Sequence, residues 1–205
     1  MKQLIFASNN DHKIKELQAS IGNLVEITSL KAAGIIREIE EPFETIKENA
    51  SEKSRVIFKL TSKDCFSEDT GLEVDALNGE PGVHSSRYAG DERSDKANIQ
   101  KLLAKLQGAG SRKARFRTVI SLRLDGAEHI FEGVAEGSIA TEPVGDKGFG
   151  YDPVFIPLGS SQTFAQMDIN QKAQYSHRRK AGDKLVAFLY SKLDLPIHEK
   201  LKVLP

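Results

Sequence analysis

The sequence predicts a domain of the α/β or α+β class, built around a mixed sheet. Over the first half of the chain, short apolar runs typical of buried strands alternate with amphipathic patterns typical of helices. In the middle of the chain, the two longest strand candidates flank Asp125-Gly126, a pair that is typical of a hairpin turn. The alternation and the hairpin together favour a sheet with both pairing directions.

The first elements are a strand, a polar turn and a helix. Residues 3–7 form an apolar run that predicts a buried strand, and residues 8–10 have the composition of a turn. A helix with one apolar face is predicted over residues 13–21. The next strand is predicted over residues 24–30, so the chain begins with a strand–loop–helix unit.

A capping box marks the second helix. Thr45 and Glu48 have the T-x-x-E spacing in which the two side chains satisfy free N–H groups at a helix start, and the helix then runs to about residue 60. Residues 65–68 predict a short strand that leads into a turn at residues 69–71. Glu68 and Asp69 are therefore expected at a strand end.

The second half of the chain contains the hairpin, a loop rich in glycine and proline, and a last helix. The predicted elements are a helix over residues 95–106, strands over residues 116–124 and 129–139, an irregular segment over residues 141–153, and a helix capped by Ser176 that ends near Leu193. The tail, residues 196–205, has no clear structural class.

Composition narrows the possible functions. The 205 residues are expected to form a single domain, residues 1–205. The 29 basic residues equal the 29 acidic ones, which argues against a nucleic-acid-binding protein. One cysteine, Cys65, excludes an intrachain disulfide and a Cys-rich zinc site. No apolar run is long enough for a secretory signal or a membrane span, so a cytoplasmic protein without a membrane partner is expected.

Residues 8–13, with the sequence SNNDHK, lie between the first strand and the first helix. Backbone N–H groups at a helix start bind phosphate, and Lys13 would add a positive charge. The alternative is an ordinary Asx turn followed by a solvated lysine. No Walker A motif occurs in the sequence, so any phosphate site here is of another kind.

An acidic set surrounds the second helix and the strand after it. Its members are Glu40, Glu41, Glu44, Glu48, Glu68, Asp69, Glu73 and Asp75. Carboxylates are the ligands that Mg²⁺ prefers, and such an ion keeps waters that can meet substrate phosphates. Any single member of the set is equally compatible with a surface charge.

Two further motifs are compatible with binding a nucleotide base. In GFGYDP, residues 148–153, the glycines allow close approach of the backbone to a ligand, and Phe149 and Tyr151 could stack on a base. The alternative is a Gly-rich hairpin with core aromatics. His177 and Arg178 lie at a predicted helix start, where cations are unfavourable without an anionic or electron-rich partner; tolerated surface charge is the other interpretation. Together the four motifs favour a nucleotide site.

Several segments, in this order, resemble the inosine/xanthosine triphosphate pyrophosphatases, also called the Ham1-like family. The matching segments are FASNNDHKIKEL (6–17), EEPFETIKENASEKS (40–54), EDTGLEVDALNGEPGVHSSRYAG (68–90), FRTVISL (116–122), GFGYDPVFIP (148–157) and SHRRKA (176–181). The resemblance extends from residue 4 to about residue 190.

This resemblance implies a Mg²⁺-dependent hydrolase, with Mn²⁺ as a substitute ion. Such enzymes cleave ITP, dITP and XTP to the monophosphate and pyrophosphate, which removes deaminated purines from the nucleotide pool. The family fold is an elongated α/β form with a long mixed central sheet, two lobes, flanking helices and an active site in the cleft between the lobes. Its members are usually homodimers.

The resemblance also assigns roles to individual residues. It places the metal carboxylates at Glu41 and Asp69, with Asp69 as the catalytic residue. The implied substrate-binding residues are Ser8, Asn9, Asn10, Asp11, His12, Lys13, Lys53, Thr70, Phe149, Gly150, Tyr151, Asp152, Lys172, His177 and Arg178. The family more often has Thr-Gly at the first two of these positions, so Asn9 lacks the conformational freedom of glycine.

The implied specificity is for a 6-keto purine. A keto oxygen accepts a hydrogen bond, whereas the amino group of adenine donates one, so a donor such as Arg178 or protonated His177 would favour hypoxanthine and xanthine. Two other functions remain open at this point. One is a related pyrophosphatase that acts on modified pyrimidine or methylated nucleotides, and the other is a nucleotide-binding module without catalysis.

Overall fold

The computed structural model describes residues 2–37 and 39–192. Its α-helices are Asp11–Ile21 (α1), Ile46–Thr61 (α2), Asp95–Lys105 (α3), Ile169–Ala173 (α4) and His177–Lys192 (α5). Its strands are Lys2–Phe6 (β1), Val25–Ser29 (β2), Cys65–Val74 (β3), Pro81–Gly82 (β4), Lys113–Leu124 (β5), Ala127–Ile139 (β6) and Phe155–Pro157 (β7). The predicted end of the last helix at Leu193 and the tail, residues 196–205, lie outside the described residues.

All seven strands belong to one mixed sheet with the order β2-β1-β3-β5-β6-β7, and β4 pairs with β3. Strand β1 is parallel to β2 and β3, whereas the pairs β3–β5, β5–β6 and β6–β7 are antiparallel. Asp125 and Gly126 have φ values of 50° and 83°, as the tight turn between β5 and β6 requires. The predicted mixed sheet and hairpin are both confirmed.

One face of the sheet carries two apolar clusters. Because side chains alternate along a strand, Phe66, Glu68, Thr70 and Leu72 of β3 point to this face. Phe66 belongs to a cluster that α1 and α5 cover, and Leu72 belongs to another cluster that packs against α3. Glu68 and Thr70 lie between the two clusters, so polar groups line the space between them.

Helix α2 covers part of the opposite face. Ile46 and Ala50 pack there on Val119 of β5, and Ala50 O accepts a hydrogen bond from Ser67 Oγ of β3. Asp69 alternates with Glu68 and therefore faces α2. The two neighbouring carboxylates of the ED pair consequently point to opposite faces of one strand.

The strand end predicted at Glu68-Asp69 is wrong, because β3 continues through this pair to Val74. An uninterrupted ladder with β5 runs from the Cys65 pair to the Val74 pair. Gly71 does not make a turn; a Cβ there would lie 2.5 Å from the carbonyl oxygen of Gly82, so glycine permits β4 to approach.

The edge of β3 is nevertheless open at this place. Strand β1 pairs with β3 only at Cys65 and Phe66, and β4 pairs only at Leu72 and Glu73. Within residues 2–37 and 39–192, no strand pairs with residues 67–71 on this side, and we call this stretch the open edge. The edge arises because β1 ends at Phe6, and the chain then enters the loop of residues 8–13.

Other differences from the predicted elements are small. Strand β5 begins at Lys113 and β6 at Ala127, a few residues earlier than predicted, and β7 had no predicted counterpart. None of the helices in the described residues is long and apolar enough to cross a membrane.

Candidate active site

The loop of residues 8–13 is shaped by its own side chains. Asn10 caps α1, because its Oδ1 accepts hydrogen bonds from the backbone N of His12 at 3.0 Å and of Lys13 at 3.2 Å. Ser8 Oγ accepts a hydrogen bond from the backbone N of Asn10 at 3.1 Å. These contacts direct the N-terminus of α1 toward the open edge.

The structure shows why asparagine is tolerated at position 9. Asn9 does not have a positive φ, so this loop does not need the backbone freedom of glycine. Its Oδ1 accepts a hydrogen bond from the backbone N of Lys31 at 2.8 Å, a contact that glycine could not make. The departure from the more usual family residue therefore adds a tether to the chain after β2.

Lys53 bridges the two carboxylates assigned to a metal. Its Nζ lies 2.5 Å from Glu41 Oε1 and 2.9 Å from Asp69 Oδ1, and the lysine is only 6% exposed. Both oxygens are thus within hydrogen-bonding distance of one cation. Two carboxylates so close together, at the open edge, fit a hard cation that takes its remaining ligands from water and substrate.

Burial and charge shift the pKa values of this group in different directions. Burial raises the pKa of Asp69, the charge of Glu41 adds to this, and Lys53 only partly offsets it, so the net shift is upward. Burial also raises the pKa of Glu41, but Lys53 outweighs it and the pKa is lowered. Asp69 therefore holds a proton more readily than an ordinary aspartate, as a group that accepts one during a reaction should.

Arg178 is a buried cation held by two carboxylates. Its Nε and Nη2 donate to Glu68 at 2.7 and 2.8 Å, and its Nη1 donates to Glu16 at 2.6 Å. Burial raises the pKa of Glu68, but Arg178 and Lys13 outweigh it and the pKa lies well below its usual value. Most donors of Arg178 are therefore engaged within the protein, which differs from the free base-reading donor that the sequence suggests.

His177 forms part of an aromatic wall. It is buried and stacks on Phe116 with ring centroids 4.6 Å apart. Burial, with the charges of Arg178 and Lys172, lowers its pKa well below the usual value. This shift favours the neutral imidazole and argues against the protonated His177 donor that the sequence suggests.

The segment GFGYDP folds around a buried carboxylate. Asp152 Oδ2 accepts hydrogen bonds from the backbone N of Phe149 at 3.0 Å and from Lys172 Nζ at 2.7 Å. A Cβ on Gly148 would lie 2.0 Å from the same oxygen, so only glycine fits. This turn presents the ring of Phe149, which stacks on His12 with centroids 5.1 Å apart.

Tyr151 and Thr70 both form hydrogen bonds within the protein. Tyr151 packs in the core, and its hydroxyl donates to the carbonyl oxygen of Ser85 at 2.9 Å, but the residue also lines the cavity described next, so the stacking of its ring on a base stays a prediction. Thr70 Oγ1 lies 2.5 Å from Glu68 Oε1 and 2.6 Å from Thr118 Oγ1. Its hydroxyl is therefore already bonded within the protein.

A cavity of about 300 Å³ joins these parts, a size found in small-molecule sites. Its lining includes Asn10, Lys13, Thr70, Phe149, His177 and Arg178. Lys13 Nζ, 3.3 Å from Glu68, lies beside the open edge, and its charge also acts on Glu41 and Asp69 across it. An aromatic cavity on one face of β3 thus adjoins a carboxylate pair on the other.

Comparison with known proteins identifies the family of this chain. The model of the Ham1 family matches residues 4–188. The chain belongs to the Ham1 family. It is 47% identical over 190 residues to the dITP/XTP pyrophosphatase of Porphyromonas gingivalis, covering 92% of this chain and 98% of that protein. It is 46% identical to the protein of the same name from Flavobacterium psychrophilum, covering 91% and 98% of the two chains.

Solved structures of the family have the same fold. The Ham1 protein of Staphylococcus aureus superposes with a TM-score of 0.85 at 41% identity, covering 94% of this chain and 100% of that one. The HAM1 protein of Coxiella burnetii gives a TM-score of 0.86 at 38% identity, covering 93% and 100%. The expected family fold is therefore confirmed.

The sequence did not identify Glu16 as part of the site. This α1 residue accepts hydrogen bonds from Arg178 of α5 and, at 2.8 Å, from Lys172 Nζ of α4. Because Lys172 also bonds Asp152, Glu16 connects α5 to the GFGYDP turn. Burial raises its pKa, but the two cations outweigh it and the pKa is lowered. Glu16 is three residues from Lys13, so both lie on one side of α1, and this spacing could have indicated from the sequence that Glu16 faces the site.

Asp95 is a second residue that sequence reasoning missed. Its Oδ2 accepts a hydrogen bond from the backbone N of Gly150 at 2.7 Å, which ties the GFGYDP turn to the start of α3. An aspartate in the first turn of a helix is by itself typical of dipole compensation, so the sequence carries no signal for this contact. Only the fold brings residues 95 and 150 together.

Proposed function

We propose that this protein hydrolyses deaminated purine nucleoside triphosphates, namely ITP, dITP and XTP, to the monophosphate and pyrophosphate. The observation that carries the proposal is the open edge of β3, where the aromatic cavity meets the pair Glu41 and Asp69. A base in the cavity would leave its phosphates beside the start of α1, next to Lys13 and Lys53. The names of the bacterial relatives agree with this substrate class.

The residues of the chain suggest how the reaction proceeds. Lys13 and Lys53 offset the negative charge of the phosphates and of the departing pyrophosphate. Water attacks the α-phosphorus, the bond to the bridging oxygen breaks, and pyrophosphate departs with the electron pair. Asp69, whose pKa burial raises, accepts the proton of the attacking water.

A Mg²⁺ ion fits the proposal, and Glu41 and Asp69 would hold it. When bound, such an ion supplies positive charge to the phosphate oxygens and draws the two carboxylates together. The described part of the chain contains no group of three or more His, Cys, Asp or Glu side chains able to hold a metal. The protein would therefore supply two ligands, within the usual number for Mg²⁺ bound to a phosphate substrate.

The reaction type is tested by the products. Incubation of dITP with the protein and Mg²⁺ should give dIMP and pyrophosphate in equal amounts, measured by chromatography and a pyrophosphate assay. Release of dIDP with inorganic phosphate would contradict cleavage between the α and β phosphates. A nucleotide-binding module would release neither product.

Metal removal provides a separate prediction. Excess EDTA should abolish turnover, and added Mg²⁺ or Mn²⁺ should restore it, because the ligands proposed here, Glu41 and Asp69, are carboxylates and both ions are hard cations. Turnover is measured as pyrophosphate release before and after addition of each ion. Activity that persists unchanged in EDTA would contradict the metal requirement.

The resemblance further supports a homodimer in the cytoplasm as part of the proposal. Light scattering coupled to gel filtration distinguishes one chain from two. A mass of about one chain across the working concentration range would contradict the dimer.

A further inference from the structure

Asn49 of α2 clamps the segment that carries Glu41. Its Oδ1 accepts a hydrogen bond from the backbone N of Phe43 at 2.9 Å, and its Nδ2 donates to the carbonyl oxygen of the same residue at 3.0 Å. The side chain is 1% exposed. Both polar atoms of this buried amide are thus hydrogen-bonded to the backbone of Phe43. Phe43 lies in an irregular segment, two residues after Glu41.

Helix geometry connects this clamp to the carboxylate pair. Asn49 and Lys53 are four residues apart on α2 and therefore lie on the same side of the helix, one turn apart. One turn holds the backbone at Phe43, and the next turn holds the carboxylate of Glu41 through Lys53. Residues 39–45 lie outside any helix or strand, so these contacts with α2, together with the packing of Ile39 on the cluster that contains Leu30 and Ile57, hold the segment of Glu41 in place.

We propose that Asn49 is a positioning residue that holds Glu41 in place for a divalent cation, an inference that rests on the proposed function. Groups that hold a ligand in position commonly account for 10- to 100-fold in metal affinity. Without the clamp, residues 41–43 gain conformational freedom, and Glu41 must be ordered when the cation binds. The expected consequence is weaker cation binding, with less effect on the chemistry once the ion is bound.

The chain offers a matched control in Asn98 of α3. This asparagine is 2% exposed, its Oδ1 accepts from the backbone N of Ala89 at 2.7 Å, and its Nδ2 donates to the carbonyl oxygen of Ser86 at 3.1 Å. It is thus the same kind of clamp, with equal burial, on a different loop. Replacement by alanine at either position should cost similar stability, but only Asn49 bonds the segment that carries Glu41, whereas the loop held by Asn98 reaches Glu41 only through the charge of Arg87.

The test measures binding of Mn²⁺ alone to the full-length protein by electron paramagnetic resonance, without substrate. Asn49→Ala is expected to raise the Kd for Mn²⁺ at least about tenfold, whereas Asn98→Ala should leave it within about twofold. Urea unfolding of each variant reports stability. Asn49→Gln, which keeps a buried amide but moves it by one methylene, is the second variant if alanine prevents folding, and it should also weaken binding.

Kinetics give an independent readout on the same proteins. The Mg²⁺ concentration for half-maximal activity should rise in Asn49→Ala, while kcat at saturating Mg²⁺ stays within about threefold of the parent, because the reacting groups are unchanged. An unchanged Kd for Mn²⁺ in Asn49→Ala, or equal losses in the Asn49 and Asn98 variants, would overturn the inference alone. If the parent binds no Mn²⁺, the proposed metal site fails and the inference fails with it.

Discussion

Replacement of Asp69 by asparagine is expected to lower the turnover of dITP by at least about a hundredfold, the scale for loss of a group that moves a proton. The asparagine keeps the shape of the side chain and can still meet Lys53, so the fold should persist. It cannot accept the proton of the attacking water, and it is a poorer ligand for a cation. The change is measured as kcat and kcat/KM, with circular dichroism to verify folding.

Glu73 offers a control for this variant. It belongs to the same strand and face as Asp69, but it pairs with Arg115 and Arg117, away from the loop of residues 8–13. Glu73→Gln also removes one carboxylate charge, and as a partly exposed ion pair it should leave turnover within about threefold. Near-normal turnover in Asp69→Asn, or an equal loss in both variants, would contradict the role assigned to Asp69.

Replacement of Arg178 by alanine is expected to lower the free energy of unfolding by about 3–5 kcal/mol, the usual cost of removing one partner from a buried ion pair. Arg178 is 1% exposed and lies between Glu68 and Glu16. Its loss leaves a buried carboxylate at Glu68 without its main partner, and it removes a wall of the cavity. Urea unfolding measures the stability, and kcat/KM for dITP measures the effect on the site.

A double variant separates charge from packing. Arg178→Met with Glu68→Gln removes both charges while filling most of the space, so it should recover part of the stability that Arg178→Ala loses. Turnover should not recover with it, because the guanidinium beside Phe149 is still absent. If Arg178→Ala lowers the free energy of unfolding by less than about 1 kcal/mol, the ion pair of Arg178 and Glu68 is not buried in the way described.

Much of the fold was predictable because local patterns decide it. The T-x-x-E pattern predicted the start of α2, and Thr45 Oγ1 accepts the hydrogen bond from the backbone N of Glu48 at 3.1 Å as expected, whereas the Glu48 carboxylate accepts from the Thr45 hydroxyl at 2.6 Å instead of from the backbone N of Thr45. The Asp125-Gly126 turn predicted the hairpin. Residues 8–13 were placed between a strand and a helix, and the structure has them there, although α1 already begins at Asp11 and not at residue 13. In each case the signal and its consequence lie within a few residues of each other.

The predicted strand end at Asp69 failed for a physical reason. The Thr70-Gly71 pair looks like a turn, but Gly71 serves the close approach of β4, a contact between residues 71 and 82 that no local pattern shows. The edge of β3 is open because β1 ends at Phe6, more than sixty residues earlier in the chain. The location of the site was thus correct, although the structural reason for it was different.

The electrostatic partners were the least predictable part. The sequence suggested that Arg178 is free to donate a hydrogen bond to a base. The carboxylates that bond it, Glu16 on α1 and Glu68 on β3, are distant in the sequence and therefore could not be recognised as its partners. His177 looked titratable, but burial between aromatic rings lowers its pKa and favours the neutral form. The ion pairs of Arg178 join residues more than a hundred positions apart in the sequence, and the stacking of His177 on Phe116 joins residues about sixty positions apart.

The proposed substrate class is tested most directly by kcat/KM for dITP, XTP, dATP, dGTP and dUTP, measured as pyrophosphate release at saturating Mg²⁺. We predict that dITP and XTP exceed dATP and dUTP by at least about a hundredfold, a discrimination that a polar mismatch at the base can provide; dGTP, which shares the 6-keto oxygen, reports whether the 2-position is also read. Equal values for dITP and dATP, or a preference for dUTP, would contradict a site selective for deaminated purines.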